Sequence, residues 1–407
     1  MTPARAVEAQ LRLPLFEFVV LMAMLFALTA FSIDSMLPAL PQIASELVPA
    51  APNKAQLIIG SFVLGMGLGT FITGPLSDAF GRRRVILLGA GLYSIGAALA
   101  YVAPSLELIV AARLLQGLGV AGPRIAAMAL VRDLYAGREM ARIISVMMMV
   151  FVLVPAVAPL MGAAIINQFG WRSIFMAFVL FAAVISIWFG LRQPETLPAA
   201  RRRPMDMRLL AAAAKEIMTH RLVALVTLVM ALAFATLFAT IATVQQIFDI
   251  TYDRAEDFPA WFAFIALVAG TGNLLNARLV MRLGMRLMVI GIFGAQIVVS
   301  TVMVVLFSSG WMPDAAAFWA FLFWVCSVFF TAGLTLGNLN ALALEPMGHI
   351  AGTAASVVSA LATIGSVLIA VPIGLAFDGT PLPLMVGVLL CCLASLPIML
   401  ILPKADR

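Results

Sequence analysis

The sequence predicts an all-α membrane protein with twelve transmembrane helices in two six-helix bundles. Of its 407 residues, 63% are hydrophobic and 11% are charged, whereas soluble domains average about 45–50% apolar and about 25% charged residues. Crossing a bilayer core takes roughly 20 helical residues, so twelve crossings use about 240 residues. The hydrophobic excess therefore fits a polytopic membrane protein and excludes a soluble enzyme or a soluble binding protein.

Long apolar segments, separated by short loops that contain charged residues, glycine or proline, define each predicted helix. The first segment follows Arg5 and Arg12 and continues without a small-residue cleavage site, so we interpret it as a retained helix rather than a signal peptide. The predicted helices are 14–45, 54–77, 83–103, 105–133, 140–166, 171–192, 221–248, 259–282, 286–307, 314–344, 350–377 and 381–402.

A hydrophilic stretch divides these helices into two groups of six. We therefore predict an N-terminal bundle (1–192), a basic cytoplasmic linker (193–220) and a C-terminal bundle (221–407). The halves also share a faint repeat, because Leu283–Arg286 occupies the position in the second half that Phe80–Arg83 occupies in the first. A duplicated six-helix unit is typical of secondary transporters, whose substrates bind near the membrane midplane between the halves.

The distribution of basic residues predicts the orientation, because cytoplasmic loops retain Lys and Arg. With both termini placed in the cytoplasm, 20 of the 25 Lys and Arg residues lie inside and 3 lie outside. The net charge of +6 thus reflects topology, and we expect no nucleic-acid partner.

Three charged residues lie deep in the predicted spans: Asp34, Arg113 and Arg124. Each ionised group there costs roughly 2.5–3.5 kcal/mol on insertion scales, so each calls for an explanation. Asp34 and Arg113 fall at similar depths, and we hypothesise that they face one another or share a polar network. Desolvation raises the proton affinity of a carboxyl group, whereas a nearby guanidinium lowers it. Asp34 would therefore carry the proton, and Arg113 would tune the proton affinity of Asp34. The alternative is a static buried pair that only fixes helix packing.

Arg124 follows Arg113 by 11 residues, close to three helical turns, so both project from one face together with Gln116 and Gly117. We predict that this face binds substrate and that Arg124 contacts an anionic or polar group. The alternative is that Arg124 has a structural partner or snorkels.

The loop predicted after the second helix contains a charged motif that starts at Gly74. Its Asp78, Arg82 and Arg83 could bridge the two bundles at their cytoplasmic ends, while Gly81 permits a tight turn. The alternative is ordinary positive-inside anchoring.

Small residues mark predicted helix contacts and polar residues mark a predicted cavity. Pro155, Pro159 and Gly162 repeat at i, i+4 and i+7 on the fifth helix, where they allow close approach and suggest bending. In the second half no acid or base lies deep. The candidate substrate contacts there are Thr240, Asn276 and Asn338.

These motifs support a family resemblance. Gly74–Arg84 resembles the loop signature of the major facilitator superfamily, and Arg113–Gly117 resembles the fourth-helix motif of its proton-coupled members. Three further segments resemble motifs of the Bcr/CflA drug-efflux family: Asp34 with Met36–Pro41, Val131–Tyr135 and Glu345–Ala354. The resemblance implies drug:proton antiport across a bacterial inner membrane. One departure is that alanines, Ala158 and Ala163, replace two glycines of the usual fifth-helix antiporter motif.

We therefore expect a multi-pass inner-membrane transporter that exports hydrophobic small molecules by alternating access, acts as a monomer in contact with lipid and protons, and uses no cofactor or metal. A proton-coupled transporter of one metabolite, such as an organic anion bound through Arg124, remains the alternative. An enzyme is disfavoured because no catalytic constellation or metal-ligand spacing is present. The duplicated bundles and the single proton-site candidate argue against a channel.

Overall fold

The computed structural model describes residues 13–202, 204–310 and 312–402, and in this part of the chain the secondary structure is entirely helical. Twelve long helices are labelled α1 to α12 in chain order. They are Leu15–Asp34, Leu57–Phe80, Arg82–Val102, Leu106–Leu134, Gly137–Phe169, Ser173–Arg192, Arg221–Gln246, Phe258–Leu283, Met285–Ser308, Asp314–Leu344, Ala351–Leu375 and Leu382–Ile401. The predicted fold class and helix number are confirmed. Five basic residues used in the charge count lie outside the described residues: Arg5, Arg12, Arg203, Lys404 and Arg407.

The helices are long and apolar enough to cross a membrane. The described residues contain eleven candidate spans, one of which, Ala315–Leu375, is 61 residues long. This span combines α10 and α11, because only the 3₁₀ segment Glu345–Ile350 separates them. Counted as two helices, it brings the number of crossings to the predicted twelve.

The first predicted helix, 14–45, is wrong as a continuous helix. α1 ends at Asp34 and is followed by a 3₁₀ turn, Leu37–Ala39, and a short helix, Leu40–Leu47. Pro38 explains the break, because proline has no N–H to donate and disfavours helical geometry at the residue before it. Asp34 therefore lies at a helix end within the first span.

The charged motif between α2 and α3 is mostly helical, contrary to the predicted loop. α2 continues to Phe80, so Gly74 and Asp78 belong to its last turns. Gly81 alone interrupts the helices, with φ 98° and ψ 154°, and Gly284 between α8 and α9 has φ 79° and ψ 154°. Positive φ favours glycine. The tight turn predicted at Gly81 is present, and it recurs at the position that the sequence repeat indicated.

The first compact unit comprises the residues up to 36 and residues 61–211. In this unit α3 packs along α4 and α6, and α1 packs against α5 and α4. A buried apolar core forms around Phe18, Leu25, Leu130 and Phe189. These contacts hold α1, α3 and α4 together, and these three helices carry the candidate site.

The second compact unit comprises residues 37–60 and those from 212 onward. Its packing repeats that of the first unit, since α7 packs against α11, and α9 packs along α10 and α12. The boundary at residues 211 and 212 falls inside a linker helix, Met207–Thr219, within the predicted linker. Segment 37–60 differs from the predicted division, because it packs with the second unit although it belongs to the N-terminal half of the sequence.

Candidate functional site

The break in the first span exposes the carboxyl-terminal end of α1. The last four carbonyl groups of a helix have no intrahelical partner, so other donors must satisfy them. The Arg113 guanidinium on α4 donates from its Nη2 to the Ser32 carbonyl oxygen at 3.0 Å. A cation at this position also complements the negative end of the helix dipole. Arg113 thus caps the broken helix from inside the protein.

A buried polar cluster, the Arg113 cluster, surrounds this cap and consists of Ser32, Tyr93, Arg113 and Gln116. All four residues are 0% exposed. Arg113 Nη1 donates to Gln116 Oε1 at 2.8 Å, and the Ser32 and Tyr93 hydroxyls lie 2.6 Å apart. The guanidinium carbon also lies 4.2 Å from the ring centroid of Phe62 on α2, a cation–π contact. The cluster thereby joins four helices of the first unit.

Asp34 ends α1, two residues after the carbonyl group that Arg113 caps. Its side chain is buried, and the residue is only 4% exposed. Asp34 and Arg113 form no ion pair, and the Asp34 carboxyl has no hydrogen-bond partner among the residues that the structure describes. The hypothesised facing pair is therefore replaced by an indirect link through the α1 backbone. The proton-carrying role of Asp34 stays a prediction.

Two glycines of the predicted site lie at close backbone contacts. A Cβ atom at Gly162 on α5 would lie 2.2 Å from the Ser35 carbonyl oxygen, and one at Gly117 on α4 would lie 2.1 Å from that of Phe62. Such distances leave no space for a side chain. Gly162 lets α5 pack directly on the break after Asp34. Gly117 occupies a helix-packing position and not the substrate-facing position assigned to it from the sequence.

Pro155 and Pro159, the other two residues of the predicted stripe, lie inside the 33-residue helix α5. The helix continues through both of them. Pro159 is buried and Pro155 is partly buried. The conformational role predicted for these prolines remains a prediction.

Arg124 is partly buried in the middle of α4. Its Nη1 lies 3.4 Å from the Met66 sulfur on α2, a weak acceptor. No carboxylate pairs with Arg124 among the described residues. The guanidinium therefore retains donors and charge for another partner, as its predicted substrate role requires.

The charged motif at the α2–α3 turn forms contacts within the first unit. Arg82 donates to Asp78 at 2.5 Å and to Asp133 at 3.0 Å. Arg83 Nη2 donates to the Gly190 carbonyl oxygen at 2.5 Å. These contacts tie α2, α3, α4 and α6 together. The predicted bridging of the two bundles by Asp78, Arg82 and Arg83 stays a prediction.

A residue of the linker completes this cluster. The Glu195 carboxylate accepts from the backbone N–H groups of Arg82 at 2.9 Å and Arg83 at 3.2 Å. An anion at the start of a helix satisfies free N–H groups and complements the helix dipole. Glu195 therefore fastens the beginning of the linker to the amino-terminal end of α3.

In the second unit the structure brings together two of the three predicted cavity residues. Asn338 on α10 donates to Asn276 Oδ1 on α8 at 2.8 Å and to its own helix at Leu334. Thr240 on α7 is fully buried and donates to the Thr236 carbonyl oxygen of the same helix. The two asparagines form an interhelical contact, whereas Thr240 satisfies its hydroxyl locally.

Sequence reasoning missed three residues of these sites: Ser32, Tyr93 and Glu195. Tyr93 had a usable signal, because it is one of four tyrosines and lies in the middle of a predicted span. Pro38 likewise signalled the end of α1. The Ser32 carbonyl group that Arg113 caps and the N–H groups that Glu195 binds belong to the backbone, so neither contact leaves a residue pattern.

The fold and the buried site define a class: a polytopic α-helical protein of two related helix bundles, with charged groups held inside its membrane-spanning part. The sequence model of the family described as the Major Facilitator Superfamily matches residues 21–370 of this chain. The chain belongs to this superfamily, and both the family and the fold are those of transporters of small molecules rather than enzymes.

The relatives agree with the Bcr/CflA resemblance. The chain is 27% identical to a bicyclomycin resistance protein homolog of Haemophilus influenzae, covering 85% of this chain and 86% of the relative. It is 26% identical to multidrug resistance protein D of Escherichia coli, covering 82% of each. In fold it is similar to the crystal structure of a D-xylose-proton symporter, with TM-score 0.75, 15% identity, and coverage of 95% of this chain and 98% of that chain. The protein is a multi-pass protein of the bacterial inner membrane.

Replacing Arg113 with lysine tests the helix cap. Lysine keeps the charge but lacks the guanidinium fork, so it cannot reach Ser32 and Gln116 together while lying over Phe62. We expect Arg113→Lys to reduce transport by at least about tenfold and to lower the melting temperature in detergent. Arg138→Lys, at an exposed position in the first turn of α5, is the matched control and should leave both unchanged. Equal behaviour of the two variants would contradict the cap.

Replacing Gly162 with alanine tests the packing of α5 on the α1 break. The added Cβ would collide with the Ser35 carbonyl oxygen, and such overpacking costs about 1–3 kcal/mol. Gly91→Ala on α3 is the matched control, because a Cβ there meets nothing within 4 Å. Thermal unfolding in detergent should show a lower melting temperature for Gly162→Ala only. A similar melting temperature for both variants would exclude the close contact.

Proposed function

We propose that the protein exports hydrophobic drugs from the bacterial cytoplasm in exchange for protons. The observation that carries this proposal is the Asp34 carboxyl group, which is buried at a break in the first span and has no partner in the described part of the chain. An unpaired charge inside a membrane protein is costly, and such acids serve as proton relays in transporters. The names of the relatives, a multidrug resistance protein and a bicyclomycin resistance protein homolog, support drugs as the substrates.

In this proposal Asp34 alternates between a neutral form, when closed off from water, and an ionised form, when its cavity opens. The permanent positive charge of Arg113 lies on the same helix end, held by the Ser32 carbonyl group and by Phe62. A movement of this end of α1 would change the surroundings of both groups at once. Proton binding at Asp34 would then accompany the change of access between the two sides of the membrane.

Two related six-helix bundles provide the means for alternating access, since such repeats rock about a site near the midplane. The packing pairs α1–α5 and α7–α11 repeat between the halves, which supports this movement. We further propose that the proton exchange takes place in the first unit and that Asn276 and Asn338 contribute polar contacts to substrates in the second. We also propose that the protein acts as a monomer.

A second candidate function follows from Arg124. This guanidinium has only a weak sulfur contact and no carboxylate partner among the described residues, so it could bind the negative group of an organic anion. The protein would then be a proton-coupled transporter of a single anionic metabolite. Drug export takes precedence because two relatives that align over most of the chain carry drug-resistance names.

Proton flux in proteoliposomes tests the exchange. We expect drug-driven proton movement in the wild type and none above background with Asp34→Asn, because asparagine cannot release a proton. Asp378→Asn, at an exposed loop position, is the matched control and should behave like the wild type. Wild-type coupling in Asp34→Asn would remove Asp34 from the mechanism.

Susceptibility of an efflux-deficient bacterial host separates the two functions. Expression of the wild-type chain should protect against several chemically unrelated hydrophobic drugs, with inhibitory concentrations raised at least about fourfold over the Asp34→Asn control. Protection should need no anionic group on the drug. If no drug in a broad panel is affected while uptake or efflux of an organic anion depends on Arg124, the anion transporter replaces the drug exporter.

A further inference from the structure

The end of α7 departs from regular helical geometry at an acidic residue. α7 ends at Gln246 and continues as a single π-helical turn, Ile247–Thr251, in which Asp249 is the only charged residue. Single π-helical turns occur frequently at functional sites, because the wider turn redirects side chains. The charge distribution predicts that this end of α7 faces the outer side of the membrane.

A cavity of about 310 Å³ lies beside this turn, within the second unit. Its walls come from the short helix Leu40–Leu47, the following 3₁₀ segment Pro52–Gln56 and the end of α7. Most of the lining is apolar and includes three prolines, Pro41, Pro49 and Pro52. Its volume lies at the lower end of the range of ligand pockets, roughly 300–1,000 Å³.

Among the described residues that line the cavity, Asp249 is the only charged one. It is partly buried, and its carboxylate accepts no hydrogen bond and forms no ion pair with any residue that the structure describes. The nearby Arg254 is engaged elsewhere, because its guanidinium lies 4.2 Å from the Phe318 ring centroid and 3.7 Å from Asp257. The negative charge at the cavity is therefore not neutralised by this arginine.

The two amide side chains in the lining are already paired. Gln56 Nε2 donates to Gln246 Oε1 at 2.8 Å and to the Gly374 carbonyl oxygen at 3.0 Å. Gln246 Nε2 donates to Asn53 Oδ1 at 2.7 Å. These pairs fix the shape of the cavity. A ligand would gain charge attraction from Asp249 and apolar contact from the prolines, with few further hydrogen bonds.

This combination selects the class of ligand. Ca²⁺ takes six to eight oxygen ligands and Mg²⁺ six, and no group of three metal-binding side chains occurs among the residues described. A small organic cation suits the cavity better, since its charge can lie at Asp249 while its carbon atoms contact the prolines and Ala44.

We propose that this cavity is a binding site for small hydrophobic organic cations, with Asp249 as the anchoring charge. The residues that line this cavity include neither Asp34 nor a member of the Arg113 cluster. Binding there requires no proton gradient and no transport, so the inference goes beyond the proposed function and does not depend on it.

Binding of benzyltrimethylammonium to the purified full-length protein in detergent tests the site. We expect Asp249→Asn to raise the dissociation constant by at least about tenfold, the loss of affinity expected when one charge contact is removed. Calorimetry at low salt measures this change. Asp253→Asn, four residues further along in the loop after the π-helical turn, is the matched control and should bind within twofold of the wild type.

A second variant tests the cavity without changing charge. Ala44 is 8% exposed and lines the cavity, so Ala44→Phe should fill the space and abolish binding, with the melting temperature confirming that the variant folds. Unchanged affinity in both Asp249→Asn and Ala44→Phe would overturn the proposal. Equal weakening by Asp249→Asn and Asp253→Asn would also overturn it, because the acidic loop would then attract cations without a defined site.

Discussion

The structure of the first unit depends on how the interrupted helix α1 ends inside the protein. An open helix end exposes carbonyl groups, and away from water each unsatisfied group costs about 1–3 kcal/mol. Arg113 supplies the missing donor to Ser32 and is itself held by Gln116 and Phe62. Gly162 brings α5 against the same break. Because these contacts are made to the backbone, they fix where α1 stops and therefore where Asp34 lies.

The three charged residues deep in the spans of the first unit, Asp34, Arg113 and Arg124, have different surroundings. Arg113 is fully enclosed and donates to a helix end. Among the described residues, Arg124 has a weak hydrogen bond to the Met66 sulfur and no carboxylate partner, and Asp34 lacks a partner. Arg113 holds the end of α1, and we propose that the two less satisfied groups bind the proton and the substrate. We propose that Asp34 binds a proton and that Arg124 binds a polar group of the substrate.

The sequence predicted the large features because composition and spacing decide them. Twelve apolar runs gave twelve helices, and the repeated turn at Gly81 and Gly284 was visible as a short motif. The partners of the charged residues were not predictable, since Arg113 binds a backbone carbonyl group and Glu195 binds backbone N–H groups. That segment 37–60 packs with the second unit was also not predictable, because the order of segments along the chain does not determine which of them pack together.

The proposed exchange requires that drug binding releases the proton held by Asp34. Proton release on adding drug to the purified protein in weakly buffered detergent solution measures this directly, without a membrane or a gradient. We expect the wild type to release protons in proportion to the drug bound, and Asp34→Asn to bind drug without releasing any. Equal proton release from both proteins would exclude Asp34 as the source of the proton.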